Sequence, residues 1–142
     1  MEAGAPGRAG PSMNQQRGTA AFFGVAAAVS GLIGVAAGAF GAHALRARLP
    51  ADLLQAFETG SRYQLTHALA LLMTALALDR SSTRALRAAA WLFTVGQVIF
   101  SGSLYALALS GIRPWGAVTP VGGLCLMAGW LMLAVGFARR NG

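Results

Sequence analysis

An all-α integral membrane bundle is the fold class this sequence predicts: four transmembrane helices, with a short amphipathic interfacial helix between the first two. Three observations carry that prediction. Apolar residues make up 56% of the chain and charged residues 11%, whereas a soluble domain carries roughly 25% charge. The apolar residues fall in runs separated by short arginine-bearing segments, the pattern of membrane spans and their flanks. Glycine and alanine recur inside the runs at helical spacing. Lipid gives helices no hydrophobic reason to associate, so smooth faces that allow close backbone approach supply it.

The 142 residues are enough for one domain. The net charge of +7 comes from arginine alone, there being no lysine. These arginines lie between apolar runs and not in a patch interleaved with aromatics, which argues against a nucleic-acid surface. The lone Cys125 excludes an intrachain disulfide, no zinc-type cysteine spacing occurs, and Cys125 reads as an inert buried residue.

Taken in order, residues 1–19 are rich in Gly, Ala and Pro and are expected to form a disordered tail, with Met13 as an alternative start. The first span is 20–42, a run of 23 residues without a charge, or roughly 34 Å of helix against a hydrocarbon core of roughly 30 Å. Gly24, Ala27, Gly31, Gly34, Gly38 and Gly41 step along it by three and four, a smooth stripe on one face. A cleaved signal peptide is the competing reading, but its apolar region is only about 7–15 residues long.

The connector 43–62 is polar. Pro50-Ala51-Asp52 looks like a helix start, with an acid at the positive end of the dipole. Leu53, Leu54 and Phe57 share a face, so an amphipathic helix in the headgroup zone is expected, with Gly60-Ser61 as a bend. The second span, 63–78, is the least apolar and carries Gln64, Thr66, His67 and Thr74. It crosses only if the bilayer thins, the helix kinks or it continues the helix before it. A short loop with Arg80, Arg84 and Arg87 follows. The third span is 88–109, and in it Thr94, Gln97, Ser101 and Tyr105 make a polar stripe. The fourth is 117–138, with Thr119-Pro120 as expected N-cap and first helical residue. Gly122, Gly129 and Gly136 repeat at seven, a second smooth face. Residues 139–142 form a basic tail.

With four spans, the N-terminal tail, middle loop and C-terminal tail share a side and hold seven arginines, against four on the other side. Both termini are therefore expected in the cytoplasm. Starting at Met13 would narrow the difference to six against four.

The candidate polar cluster is His43, Glu58, Tyr63, Gln64 and His67. Histidine near a membrane can relay protons, and ionisable groups within one are functional candidates. The plainer reading places both histidines near the interface, where they cap helix ends or tie the amphipathic helix to the bundle. A metal held by His43, His67 and Glu58 would suit zinc or iron chemistry, but the 24-residue separation of the histidines matches no ligand spacing. The stripe in the third span either lines a pore or a small-molecule path or, as such stripes more often do, hydrogen-bonds between helices. No phosphate loop, nucleophile elbow or zinc-protease motif occurs.

At Gly38-Ala-Phe-Gly-Ala-His43, Thr59-Gly60, Tyr63-Gln64 and His67-Ala68-Leu69-Ala70 the chain resembles a family of small bacterial membrane proteins known as domain of unknown function 423. Its animal relatives look like transmembrane protein 256. Phe100-Ser-Gly-Ser-Leu-Tyr105 and Val118-Thr-Pro-Val-Gly-Gly123 with Ala128-Gly129-Trp130 extend the resemblance from about Gly31 to Phe137. Arg62 departs from the acid carried there by some members. The resemblance implies a multi-span inner-membrane protein and no established activity. What the residues themselves lead us to expect is a non-enzymatic packing or accessory protein without cofactor or metal. It would sit in the lipid bilayer and either self-associate or join a larger membrane complex. The alternative is a small transporter, proton path or lipid-handling protein using His43, Glu58 and His67.

Overall fold

A computed structural model describes residues 12–139. Four helices follow one another: α1 (Met13–Phe40), continued by a π-helical turn (Gly41–Leu45), α2 (Ala51–Arg80), α3 (Arg84–Ser110) and α4 (Trp115–Ala138).

The ends of these helices have local causes. Ser12 caps α1, its hydroxyl accepting from the Gln15 amide at 3.4 Å. The seven residues from Met13 to Thr19 are therefore helical and not part of a disordered tail; residues 1–11 lie outside the described part of the chain. Pro50 precedes α2, and Asp52 sits in its first turn, as the dipole favours. Thr83 caps α3 by accepting from the Leu86 amide at 3.2 Å. Gly111 ends α3 at φ +69°, a left-handed conformation that glycine adopts without a Cβ penalty.

Two expectations about helix bounds are corrected. The connector holds no separate interfacial helix, because α2 runs unbroken through Gly60-Ser61 for 30 residues. Its first half is the amphipathic stretch, with Asp52, Gln55 and Glu58 exposed and Phe57 buried. Gly60 makes no bend; a Cβ there would lie 3.0 Å from the Tyr105 ring, so the missing side chain lets α3 come close. Likewise α4 starts at Trp115, ahead of Thr119-Pro120. Its first turn is tightened by i to i−3 bonds such as Ala117 N to Pro114 O at 3.0 Å. Pro120 therefore lies inside the helix, past its first turn, and has no amide to donate to the Gly116 carbonyl.

Each helix packs on its neighbours in sequence, and α1 also touches α3. The pairings are antiparallel. Along α1 and α2, Gly31 meets Ala68, Gly34 meets Leu65, Gly38 meets Ser61 and Gly41 meets Phe57. Along α3 and α4, Gly122 meets Phe100, Gly129 meets Phe93 and Gly136 meets Leu86. The glycine stripes are thus occupied within the chain. Gly24 differs: nothing lies within 4 Å of a Cβ built there, and it borders a gap between α1 and α2.

The same contacts set the helices level. Gln16 donates to the Leu78 carbonyl at 3.0 Å at one end; Phe57 packs with Leu45 and Ala108 at the other. Ser30, Gln64, His67 and Gln97 then fall half-way along the bundle. Large apolar side chains cover its outside, among them Val25, Val29 and Leu32 on α1, Leu69, Met73 and Leu76 on α2, and Leu124, Met127 and Leu131 on α4. The helix Met13–Leu45, α3 and α4 are each long and apolar enough to cross a membrane. The polar first half of α2 makes that helix less apolar than the other three.

Candidate functional site

The polar residues of three helices meet half-way along the bundle. Tyr105 donates its hydroxyl hydrogen to Gln64 Oε1 at 2.7 Å. Gln64 Nε2 donates to the Ser30 carbonyl at 3.1 Å and to its hydroxyl at 3.3 Å. Ser30 in turn donates to Gln97 Oε1 at 2.7 Å. Two hydroxyls bind backbone across the helix joints: Ser61 to the Gly34 carbonyl at 2.9 Å and Ser101 to the Gly60 carbonyl at 2.8 Å. Small residues at the joints bring those carbonyls within reach. Among the described residues no buried side-chain polar atom is left without a partner, as the high cost of an unpaired group away from water requires.

Of the stripe read from the sequence, Gln97, Ser101 and Tyr105 join α3 to α1 and α2. Thr94 instead donates to the Ala90 carbonyl of its own helix at 2.8 Å. It lines, with Gln97, Ser101 and Tyr105, a recess of about 400 Å³ between α1 and α3. Ser30 and Ser61 carry as much of the network and were missed. Ser30 is the one polar residue in the apolar run 20–42, a signal that was available.

The polar cluster does not assemble as one group. His43 is exposed on the π-helical turn and Glu58 is exposed near the start of α2. Glu58 faces α1 beside Gly38 and Ser61. His67 is 5% exposed and far from either end of α2, so the expected helix-end position is corrected. A long uninterrupted α2 carries it inward. Its Nδ1 meets the Tyr63 carbonyl at 2.7 Å and its Nε2 meets the Trp130 indole nitrogen at 3.2 Å. A carbonyl can only accept and an indole N–H can only donate, so the partners select the tautomer with hydrogen on Nδ1. Tyr63 stacks on Phe100 with centroids 4.5 Å apart, and Phe93 meets Trp130 edge-on at 5.3 Å. No group of three or more His, Cys, Asp or Glu placed to hold a metal occurs among the described residues.

Beside this aromatic cluster lies an opening of about 700 Å³ between α2 and α4, with Phe100 of α3 in its wall. Arg62, Tyr63, Thr66 and His67 line it from α2; Pro120, Gly123, Leu124, Met127 and Trp130 line it from α4.

Helices sheathed in apolar side chains around a closed hydrogen-bonded centre define a small multi-pass membrane protein. Sequence comparison gives the family: residues 37–123 match the family described as protein of unknown function DUF423, and the chain belongs to it. It is 45% identical over 127 residues to the UPF0382 inner membrane protein YgdD of Escherichia coli K12, covering 85% of this chain and 92% of that one. It is 41% identical over 109 residues to the UPF0382 membrane protein YwdK of Bacillus subtilis 168, covering 76% and 89% respectively. No solved structure matches the chain. The chain is accordingly a multi-pass inner-membrane protein of a family without an assigned activity.

Proposed function

We propose that the chain crosses the bilayer four times and works as a non-catalytic, membrane-embedded accessory protein, not as an ion or proton path. The observation that carries this is the saturation of the polar centre. Ser30, Gln64, the Gln97 side-chain oxygen and the Tyr105 hydroxyl bond one another, no buried side-chain polar atom among the described residues lacks a partner, and both ring nitrogens of His67 are engaged. A path for ions or protons strings ionisable groups along the span, whereas His43, Glu58 and His67 stand in three separate surroundings.

The fourth crossing is supported by the packing of α2. That helix lies level with α1 from Leu78 to Phe57, and its outer face there carries Leu69, Leu72, Met73 and Leu76. A helix packed along the length of a spanning neighbour shares its depth. The arginine balance then sets both termini in the cytoplasm. Because the glycine faces are occupied within the chain, association with itself or with a larger complex would use the outer sides of α1 and α4. α1 packs mainly on α2 and α4 mainly on α3, which leaves the outer side of each uncovered.

The test of the passive reading is flux. Liposomes carrying the purified protein should lose an imposed proton or potassium gradient no faster than empty liposomes. Faster loss that His67→Ala abolishes would overturn it.

A further inference from the structure

We propose that the opening between α2 and α4 is a binding groove for an anionic glycerophospholipid, its phosphate on Arg62 and one acyl chain running inward to Trp130. The groove has the polarity of such a molecule. From Pro120 to Trp130 its α4 wall presents Gly123, Leu124 and Met127, all on one helical face, over roughly 15 Å at about 1.5 Å per residue. Phe100 and the Tyr63 ring complete an apolar lining. The single charge in it, Arg62, stands at one end, nearer the Phe57 level of the bundle than His67. Side chains on a helix lean toward its N-terminus, so Arg62 leans toward that end, the direction in which long cationic side chains snorkel to the headgroups.

Arg62 is exposed, and it makes no ion pair among the described residues; Tyr63 is 44% exposed and its hydroxyl makes no hydrogen bond among them. A guanidinium with a phenolic hydroxyl beside it presents donors that a phosphate takes; the Thr66 hydroxyl donates to the Arg62 carbonyl at 2.9 Å. Glu58, one turn away on α2, is the nearest competing acid. It borders the small recess on the α1 side, which Arg62 also touches, and is absent from the lining of the groove. The volume of about 700 Å³ is within the usual range for small-molecule sites, about 300–1,000 Å³. Occupancy by a second copy of the chain is the rival, but α1, α3 and α4 carry no acid, and their apolar outer faces would leave the cation unmatched.

Gly123 allows the groove to be filled without breaking the packing, since a Cβ there would meet Phe100 at an ordinary 3.7 Å. The experiment uses full-length protein with Trp91 and Trp115 changed to Phe, so that Trp130 alone fluoresces. It is reconstituted into bilayers of dibromo-phosphatidylcholine mixed with phosphatidylglycerol, and into the reverse mixture. The expected result is a preference for phosphatidylglycerol at Trp130 of about five-fold, the size of one basic residue's attraction to an anionic lipid. Arg62→Gln should abolish the preference, Glu58→Gln should keep or raise it, and Gly123→Leu should reduce quenching in both mixtures. Equal quenching by the two lipids, or a preference that survives Arg62→Gln, overturns the proposal. So does protection of Trp130 by a second copy, seen as quenching that rises on dilution of the protein in the bilayer. Quenching of Trp130 by brominated lipid as such reports membrane burial of α4, so a failed groove is distinguishable from a chain that does not enter the bilayer.

Discussion

Gln64 holds three helices together with one carboxamide. Its oxygen takes the Tyr105 hydroxyl and its nitrogen reaches the carbonyl and hydroxyl of Ser30. Tyr105→Phe should therefore lower unfolding stability in mild detergent by about 0.6 kcal/mol and at most about 1.7, the range measured for hydrogen bonds between membrane helices. In a double-mutant cycle with Gln64→Leu the two losses should be strongly non-additive, because the residues share one interaction. Strict additivity would count against the bond. The α3 half of this network was legible, since Gln97, Ser101 and Tyr105 step by four along a helix. The α1 half showed only as Ser30, a lone polar residue in an apolar run, with no second polar residue at helical spacing to mark a face.

Helix faces decide what each glycine does, and spacing alone ranks them poorly. Gly24 and Gly122 belong to equally regular stripes. A Cβ at Gly24 would meet nothing within 4 Å, whereas at Gly122 it would collide with the backbone nitrogen of Phe100. Gly24→Ala should thus gain up to about 1 kcal/mol of helix propensity. Gly122→Ala should lose about 1–3 kcal/mol or more, the cost of overpacking against an atom that cannot move aside. Thermal or denaturant unfolding in one detergent compares the pair directly. Equal stabilities would refute the close approach of α3 and α4. The same reasoning applies to Gly34→Leu and Gly38→Leu. Those side chains would collide with Leu65 and Ser61 of the same chain, so loss of folding and not dissociation of an oligomer should follow.

For the whole molecule, the four-crossing reading makes a topological prediction. After Cys125→Ser, single cysteines at Arg46 in the connector and at Ser82 between α2 and α3 should face opposite sides. An impermeant maleimide applied to intact cells from outside should label the first and spare the second. A reporter fused to the C-terminus should behave as cytoplasmic. Labelling of both cysteines from one side would mean that α2 does not cross. This helix is where reading from sequence is hardest. Its polar first half lowers the hydropathy, yet the buried Ser61 and Gln64 find partners across the bundle.

The sequence by itself determined the membrane class, the family, the helical content and the approximate place of each apolar run. These follow from composition and local period, which every residue reports independently of its distant neighbours. Only the tertiary structure decided that α2 runs straight through Gly60, that the glycine faces are used within the chain, and that His67 parts company with His43 and Glu58. It also decided that a groove opens beside Arg62. Each of these depends on which helix stands opposite, and a helix face is chosen by close packing between segments far apart in sequence, which no local pattern records.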